Sequence, residues 1–224
     1  MNGYPALSIA LLLAVSDWLV VARHKRRWDF ALKPATQTAI LVAAWLFTLG
    51  PHDAWQARFF LPGLALSLIG DVLLMFSDSR YFMLGGAAFF LAHLCYIMGL
   101  NPTLPPWPAL LLLLPIAGLN GLYLHNFKRQ SSHFSKSLIP LLLYALVLNL
   151  MLFSAWSTIF RPEWTTLRRG WVIAGASLFY ASDAMLVWRR FVAPSDTLHV
   201  LVRVTYHLGQ LALAASICCA HLTP

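Results

Sequence analysis

The stretch SLIGDVLLMFSD, residues 67–78, places an ionisable carboxylate, Asp71, in the middle of an apolar run. The run covers residues 59–77, which is long enough for a helix to cross a bilayer. A carboxylate near the centre of such a helix costs about 2.5–3.5 kcal/mol of insertion free energy. Charges at this depth belong as a rule to functional sites or buried pairs, so the stretch predicts a membrane helix that contributes to a site.

The composition extends this prediction to the whole chain. Hydrophobic residues make up 59% of the 224 residues, charged residues make up only 11%, and the mean hydropathy is +0.69. A soluble domain has about 25% charged residues, so we expect a single transmembrane helical domain over residues 1–224. The net charge of +8 comes from Lys and Arg in short connectors between apolar spans. Such residues contact anionic headgroups, so membrane lipids are expected partners and nucleic acid is not.

The apolar spans number eight, each about 18–22 residues long. Helices satisfy their own backbone hydrogen bonds in lipid, so the predicted fold class is all-α, a polytopic transmembrane bundle. The predicted spans cover residues 4–22, 33–50, 58–77, 81–100, 106–124, 138–157, 170–188 and 198–219.

The distribution of basic residues predicts the orientation of this bundle. The stretch RHKRR, residues 23–27, follows the first span and no basic residue precedes it, which is not the pattern of a cleavable signal peptide. When each Lys and Arg is assigned to its nearest connector, 12 lie on the side of the first connector and 4 on the other, 16 in all. The positive-inside rule then places both termini outside, most simply in a bacterial cytoplasmic membrane.

Polar side chains recur at one depth of the predicted bundle. Odd-numbered spans carry them in their inner halves, and even-numbered spans carry others near the middle of the membrane. The heptapeptides GDVLLMF and SDAMLVW also look alike, which indicates two similar four-helix halves. The residues at this depth are Asp17, Asp71, Asn120, Asp183, His93, Asn149, His207 and Gln210.

Asp71 and Asp183 are the predicted catalytic residues. Two carboxylates at matching depth, in a chain with only eight acidic residues, favour a site over two separate packing contacts. Arg203 lies about as deep as Asp183, one hairpin away, and is a candidate partner for it. Asp17 lies close to the RHKRR stretch, where a structural ion pair is expected.

Helical spacing supplies candidate supporting residues. Arg203, His207 and Gln210 stand at i, i+4 and i+7, so they share one face of the last span. His93 and Tyr96 share a face of the fourth span. Two histidines and two aspartates could ligate a metal, but no spacing requires one, so we expect neither metal nor cofactor.

Five ordered motifs resemble the lysoplasmalogenase family of multi-pass membrane hydrolases, called YhhN-like in bacteria. Their order and the eight-span layout match that family across nearly the whole chain, although spans one, five and six match less well. The last motif contains Tyr206 and Gln210, and the resemblance gives no role to His207. The motifs are LKPATQ (32–37), SLIGDVLLM (67–75), GGAAFFLAHLCYI (85–97), GASLFYASDAMLVWRRF (175–191) and TYHLGQLALAAS (205–216).

The resemblance implies hydrolysis of the vinyl-ether bond of lysoplasmalogens to a fatty aldehyde and glycerophosphoethanolamine or glycerophosphocholine. That reaction needs an acid to protonate the β-carbon, and water to attack the resulting oxocarbenium ion. A desolvated aspartic acid keeps its proton and can supply it, so we expect Asp71 to be the acid. Asp183, held ionised near Arg203, would stabilise the cation and activate water. Lys33 and Arg80, both expected at the inner surface, are candidates for the headgroup phosphate.

Two other functions stay open at this point. One is another membrane lipid hydrolase, metal-dependent and ceramidase-like; the other is a proton-coupled carrier, which also uses intramembrane carboxylates. The oligomeric state is open as well. The full set of supporting candidates is Lys33, Arg80, His93, Tyr96, Asn149, Arg203, Tyr206, His207 and Gln210.

Overall fold

A computed structural model describes residues 3–50, 53–130 and 138–218. Within these ranges the chain forms eight α-helices and no strand, and every helix is long and apolar enough to cross a membrane. The predicted all-α transmembrane bundle is therefore confirmed. The helices are α1 Gly3–Ala22, α2 Arg26–Phe47, α3 Ala54–Leu73, α4 Ser79–Leu100, α5 Leu113–Gln130, α6 Leu138–Ser157, α7 Thr166–Phe191 and α8 Asp196–Cys218; 3-10 turns Trp107–Leu112 and Thr158–Phe160 follow α4 and α6.

Several helices begin earlier than their apolar spans, because polar residues cap or occupy their first turns. The Asp53 side chain accepts a hydrogen bond from the Gln56 amide at 3.0 Å, so α3 begins at Ala54 and not at 58. Thr165 caps α7 in the same way. α2 begins at Arg26, which places Lys33 two turns inside the helix and not at its start. The predicted end of the last span, Cys219, lies outside the described residues.

α8 forms the centre of the bundle, and α5 lies at its periphery. α8 packs against α1, α2, α3 and α7, and 67% of its membrane-crossing window is buried, compared with 6% for α5. The pairs α3–α4 and α7–α8 are close hairpins. α1 packs on α2 and α8, whereas α5 makes few contacts, so the first four helices and the last four are packed differently. Two related halves stay a prediction.

Two glycines allow the α7 and α8 backbones to touch. A Cβ atom added at Gly175 would lie 3.0 Å from the carbonyl oxygen of Gly209, and one added at Gly209 would lie 3.0 Å from the carbonyl oxygen of Gly175. Such small residues allow close helix packing in membranes. This contact fixes the N-terminal part of α7 against α8, and Asp183 follows two turns later.

Candidate active site

Asp183 lies in a buried cluster made by three helices, which we call the Asp183 cluster: Asp183 on α7, His93 on α4 and Tyr144 on α6. The Tyr144 hydroxyl donates a hydrogen bond to Asp183 Oδ2. His93 Nε2 lies 3.6 Å from the same oxygen. Asp183 is 4% exposed and His93 is fully buried, so the carboxyl meets these partners away from bulk water.

The hydrogen bonds of His93 define its protonation. Its Nδ1 lies 2.5 Å from the carbonyl oxygen of Phe89, and a carbonyl can only accept, so Nδ1 carries a proton. In the neutral ring, Nε2 then presents a lone pair to Asp183 Oδ2, and Nε2 has no hydrogen-bond partner among the described residues. Two facing lone pairs repel each other unless one group holds a proton. A proton on the Asp183 carboxyl removes this repulsion, and at 3.6 Å the two atoms are in contact without a hydrogen bond.

The Asp183 carboxyl lines a cavity between α5, α6 and α7 with a volume of ≈ 70 Å³. Asn120 and Asn149 face this cavity and bond each other reciprocally, at 2.6 and 3.0 Å, while the Tyr180 hydroxyl donates to Asn120 Oδ1 at 3.1 Å. The predicted supporting residue Asn149 is thus brought beside Asp183. The walls are otherwise mainly apolar, and include Leu124, Leu141, Leu142, Ala145, Leu148 and Val187.

Asp71 lies in a second buried cluster, which we call the Asp71 cluster: Asp71, Lys33, Tyr206, Gln210 and Tyr96. The Lys33 ammonium lies 2.9 Å from Asp71 Oδ1, and the Tyr206 hydroxyl donates to Asp71 Oδ2 at 2.6 Å. The Tyr96 hydroxyl donates to Gln210 Oε1 at 2.8 Å, and Gln210 Nε2 donates to the Tyr206 oxygen at 3.3 Å. Two predicted supporting residues, Lys33 and Tyr206, therefore contact one predicted catalytic carboxylate, and Gln210 and Tyr96 are linked to it through the Tyr206 hydroxyl.

The aromatic ring of Phe179 separates the two clusters. Its centroid lies 4.7 Å from the His93 ring, on the Asp183 side, and 5.4 Å from the Tyr206 ring, on the Asp71 side. Tyr96 also packs on Phe179, at 6.3 Å. The carboxylates share a region of the bundle but have different surroundings. One carboxylate has a paired ammonium, and the other has a histidine and a phenol.

Arg203 belongs to a third buried cluster at the junction of α1, α2 and α8. Its guanidinium donates to Asp17 Oδ2 at 3.1 Å and to Asp29 Oδ1 at 2.7 Å. The candidate pairing of Arg203 with Asp183 is therefore wrong, and Asp17 pairs with Arg203 of α8, which lies outside the RHKRR stretch. The reason is that α1 packs directly against α8, a contact that spacing along one helix does not reveal.

His207 lies beside this third cluster and not beside either predicted catalytic residue. Its Nδ1 accepts a hydrogen bond from the Trp18 indole at 3.2 Å and lies 3.9 Å from Asp17. Trp donates only, so Nδ1 is the unprotonated nitrogen and the neutral ring has its proton on Nε2. These contacts give His207 a role in packing α8 against α1.

The two residues predicted to meet a phosphate lie in different environments. Lys33 is 7% exposed and its ammonium contacts Asp71, so the expectation that it opens a helix at the membrane surface is wrong. Arg80 is exposed in the first turn of α4. Phe82, two residues later, contacts Phe191 and the Arg190 guanidinium, so Arg80 is near the end of α7.

Tyr144 and Asp29 were missed by the sequence analysis. Tyr144 is the single aromatic residue in LLLYALVLNL, residues 141–150, and a hydroxyl in so apolar a stretch was the available signal. Asp29 lies outside the predicted span 33–50 but in the first turn of α2, where an acidic residue is favourable. Tyr144 donates to Asp183 of α7 and Asp29 accepts from Arg203 of α8, so both contacts form only between helices.

The histidines and carboxylates do not converge on one point. No group of three or more His, Cys, Asp or Glu side chains in the described ranges has a geometry that could hold a metal ion. His93 faces Asp183, and His207 faces Asp17. The ligand set of two histidines and two aspartates considered from the sequence is therefore divided between separate clusters.

Comparisons with known proteins agree with the motifs. The chain is 29% identical over 189 residues to lysoplasmalogenase TMEM86A of Homo sapiens, covering 77% of this chain and 72% of the human protein. It is 27% identical over 222 residues to the lysoplasmalogenases of Mycobacterium bovis and Mycobacterium tuberculosis, covering 95% of this chain and 80% of theirs. No solved structure matches significantly. The profile of the YhhN family matches residues 28–217, and the chain belongs to that family.

Proposed function

We propose that this integral membrane protein is an ether hydrolase that cleaves the vinyl-ether bond of lysoplasmalogens. The products would be a fatty aldehyde and glycerophosphoethanolamine or glycerophosphocholine. The relatives named lysoplasmalogenase support this reaction. The observation that carries the proposal is the Asp183 cluster, where a buried carboxyl in contact with His93 and Tyr144 lines a cavity among membrane helices.

The contacts favour Asp183 as the acid, which reverses the division of roles expected from the sequence. Lys33 holds its ammonium 2.9 Å from Asp71, and an adjacent cation favours the ionised carboxylate. Among the described residues Asp183 has no such cation, and its partners there are the Tyr144 hydroxyl and the His93 ring. Burial without a paired cation favours the neutral acid, which is the form that can protonate carbon.

The reaction proceeds in two stages. Asp183 transfers its proton to the β-carbon of the vinyl ether, the double-bond electrons form the new C–H bond, and the α-carbon becomes part of an oxocarbenium ion. The Asp183 carboxylate, now negative, stabilises that cation and then accepts a proton from the attacking water. The hemiacetal collapses by breaking its bond to the glycerol oxygen, which takes the hydroxyl proton. Asp183 is again protonated, and one water has been consumed.

Asp71, which Phe179 separates from the Asp183 cluster, acts in this scheme as a fixed negative charge. Lys33 and Tyr206 orient its carboxylate. Arg80 and Arg190, at the same end of the molecule, are the candidates for the headgroup phosphate. The excess of basic residues in odd connectors supports an orientation with this end at the cytoplasmic face of a bacterial membrane and both termini outside.

Aldehyde release from a defined lysoplasmalogen by the purified protein in detergent tests the proposal. We expect the wild type to release aldehyde and Asp183→Asn to lose about 10²–10⁴-fold in kcat, the usual contribution of a general acid. Asp196→Asn is the matched control, because Asp196 is an exposed carboxylate at the start of α8. A wild type that releases no aldehyde, as a carrier would, contradicts the function. Full activity in Asp183→Asn contradicts the assignment of the acid.

A further inference from the structure

A second and larger cavity adjoins the Asp183 cavity. It has a volume of ≈ 750 Å³, lies between α5, α6 and α7, and has mainly apolar walls that include Leu112, Ile116, Leu152, Trp156, Met185 and Trp188. This volume is within the range of small-molecule binding pockets. We call it the α5–α7 groove. It exists because α5 stands away from the bundle, with only 6% of its membrane-crossing window buried.

The two cavities share a wall. Tyr123, Tyr180 and Ala184 line both of them. The Tyr123 hydroxyl of α5 donates to the carbonyl oxygen of Ala184 on α7 at 2.9 Å. The Tyr180 hydroxyl of α7 donates to Asn120 on α5 at 3.1 Å. Two tyrosines, each bonded to the opposite helix, thus form the boundary between an apolar groove and the cavity of the candidate acid.

The groove has the shape and chemistry of a site for one hydrocarbon chain. It extends along α7 from Ser177 to Trp188, which is about 16 Å at 1.5 Å per residue. Ser177, Ala181 and Ala184 stand at i, i+4 and i+7, so three small side chains line the groove on one face of α7. A flexible chain gains free energy from apolar contact alone, so it needs no polar partner along this length.

We propose that the α5–α7 groove holds the hydrocarbon chain of a single-chain ether phospholipid. Tyr123 and Tyr180 hold the reactive end of that chain at Asp183. This inference rests on the proposed function and goes beyond it, because it assigns the chain-binding site and the residues that set chain-length preference. The space beside Ser177, about 10 Å along α7 from Ala184, then limits how long a chain can be accommodated.

A variant that narrows the groove tests the assignment. Ser177→Phe places a ring in the groove about 10 Å along α7 from Ala184, whereas Ala174→Phe introduces a ring at an exposed position of the same helix. For a lysoplasmalogen chain of about eighteen carbons, we expect Ser177→Phe to lose on the order of tenfold in kcat/KM, and for one of about eight carbons less than about twofold. Ala174→Phe should leave both values unchanged. Equal losses for both chains, or no loss for either, would overturn the assignment.

A binding experiment on the wild type does not depend on catalysis or on the folding of variants. The probe is a saturated alkyl-ether lysophosphatidylethanolamine with a diazirine at the end of its chain, which has no vinyl bond to hydrolyse. We expect labelling within residues 112–123 and 177–188, reduced by excess unlabelled lysophospholipid but not by diacyl phospholipid. Labelling spread over all lipid-facing helices, or equal competition by diacyl lipid, means an ordinary bilayer lipid only and overturns the proposal.

The two experiments separate the possible failures. Localised labelling without any aldehyde release would remove the proposed function and leave the chain-binding groove. Aldehyde release with spread labelling would leave the function and remove the groove.

Discussion

Asp71 and Lys33 form a buried pair whose structural role can be separated from its chemical role. Lys33 is 7% exposed and Asp71 is 1% exposed, so each charge depends on the other for compensation. Removing one partner of such a pair leaves an isolated buried charge, whereas replacing both by apolar residues is often neutral for stability. The pair is therefore suited to a double-mutant analysis.

Lys33→Met should destabilise the protein by about 3–5 kcal/mol, because the Asp71 carboxylate is left unpaired in an apolar interior. Lys33→Met combined with Asp71→Leu should recover most of this loss in thermal unfolding in detergent. If Asp71 supplies a charge to the reaction, the stable double variant will still have a reduced kcat. A double variant with both full stability and full kcat would show that the pair serves only packing.

Tyr144→Phe should lower kcat by about ten- to a hundredfold, because it removes one hydrogen bond to the carboxylate that forms when Asp183 gives up its proton. The change removes the donor to Asp183 and keeps the ring, whose centroid lies 5.6 Å from the His93 ring. Tyr81→Phe, at an exposed position of α4, is the control. Unchanged kcat in Tyr144→Phe would mean that the phenol does not assist the carboxyl.

At the scale of helices, the contact of Gly175 with Gly209 decides where the Asp183 cluster lies relative to the Asp71 cluster. The two clusters meet across Phe179 of α7 and Tyr206 of α8, whose rings are 5.4 Å apart. Their spacing depends on how closely the two helices approach. Gly209 also leaves only 3.1 Å between an added Cβ atom and the Phe179 backbone nitrogen.

Gly209→Val should therefore cost about 1–3 kcal/mol through overpacking, and should lower kcat as the hairpin widens. Gly118→Ala on α5 is the control, because a Cβ atom there meets nothing within 4 Å. That control should be neutral or slightly stabilising, since Ala is the better helix former. Equal unfolding temperatures for the two variants would argue against a close α7–α8 contact.

At the scale of the whole molecule, the end opposite Arg80 is joined by a cluster centred on Arg168. Its guanidinium donates to Asp53 and to Gln56 Oε1, lies 3.8 Å from the centre of the Trp164 ring, and is 6% exposed. Gln56 in turn donates to Ser216 at 2.8 Å. This cluster connects α3, α7 and α8 at one end of the bundle, remote from the residues proposed to carry the chemistry.

The Asp53 carboxylate should make stability depend on pH in the acid range. Burial raises the pKa of Asp53, but the hydrogen bond from the Gln56 amide and the Arg168 guanidinium outweigh burial and hold the pKa below its usual value. A lowered pKa stabilises the folded state above the unfolded value, about 3.9, and this stabilisation is lost as pH falls through the folded value. Asp53→Asn keeps a capping oxygen and removes the charge.

We expect Asp53→Asn to be less stable than the wild type at neutral pH by about 1 kcal/mol, as for a partly exposed pair. The difference should shrink below about pH 4, where the wild-type carboxyl takes up a proton. Thermal unfolding of both proteins across this range measures it. A difference that stays constant with pH would indicate that Asp53 contributes through its shape and not through its charge.

The sequence by itself determined that the chain crosses a membrane, that it forms eight helices, and which polar residues lie deep within them. Apolar length and helical period follow from the chain alone, because each helix satisfies its own backbone in lipid. The motif resemblance added Tyr206 and the family, and the family profile agrees.

Only the tertiary structure decided the partners. Lys33 joins Asp71, Arg203 joins Asp17 and Asp29, and His93 faces Asp183 across α4 and α7. These contacts depend on which helices are neighbours and on how each helix is rotated about its axis. The position of a residue along its helix gives neither the neighbour nor the rotation. The same is true of the groove beside Asp183, since an empty space between α5 and α7 is a property of packing. Asp71 was therefore found from its sequence, but its ion pair with Lys33 was not, because that pair forms only where α2 crosses α3.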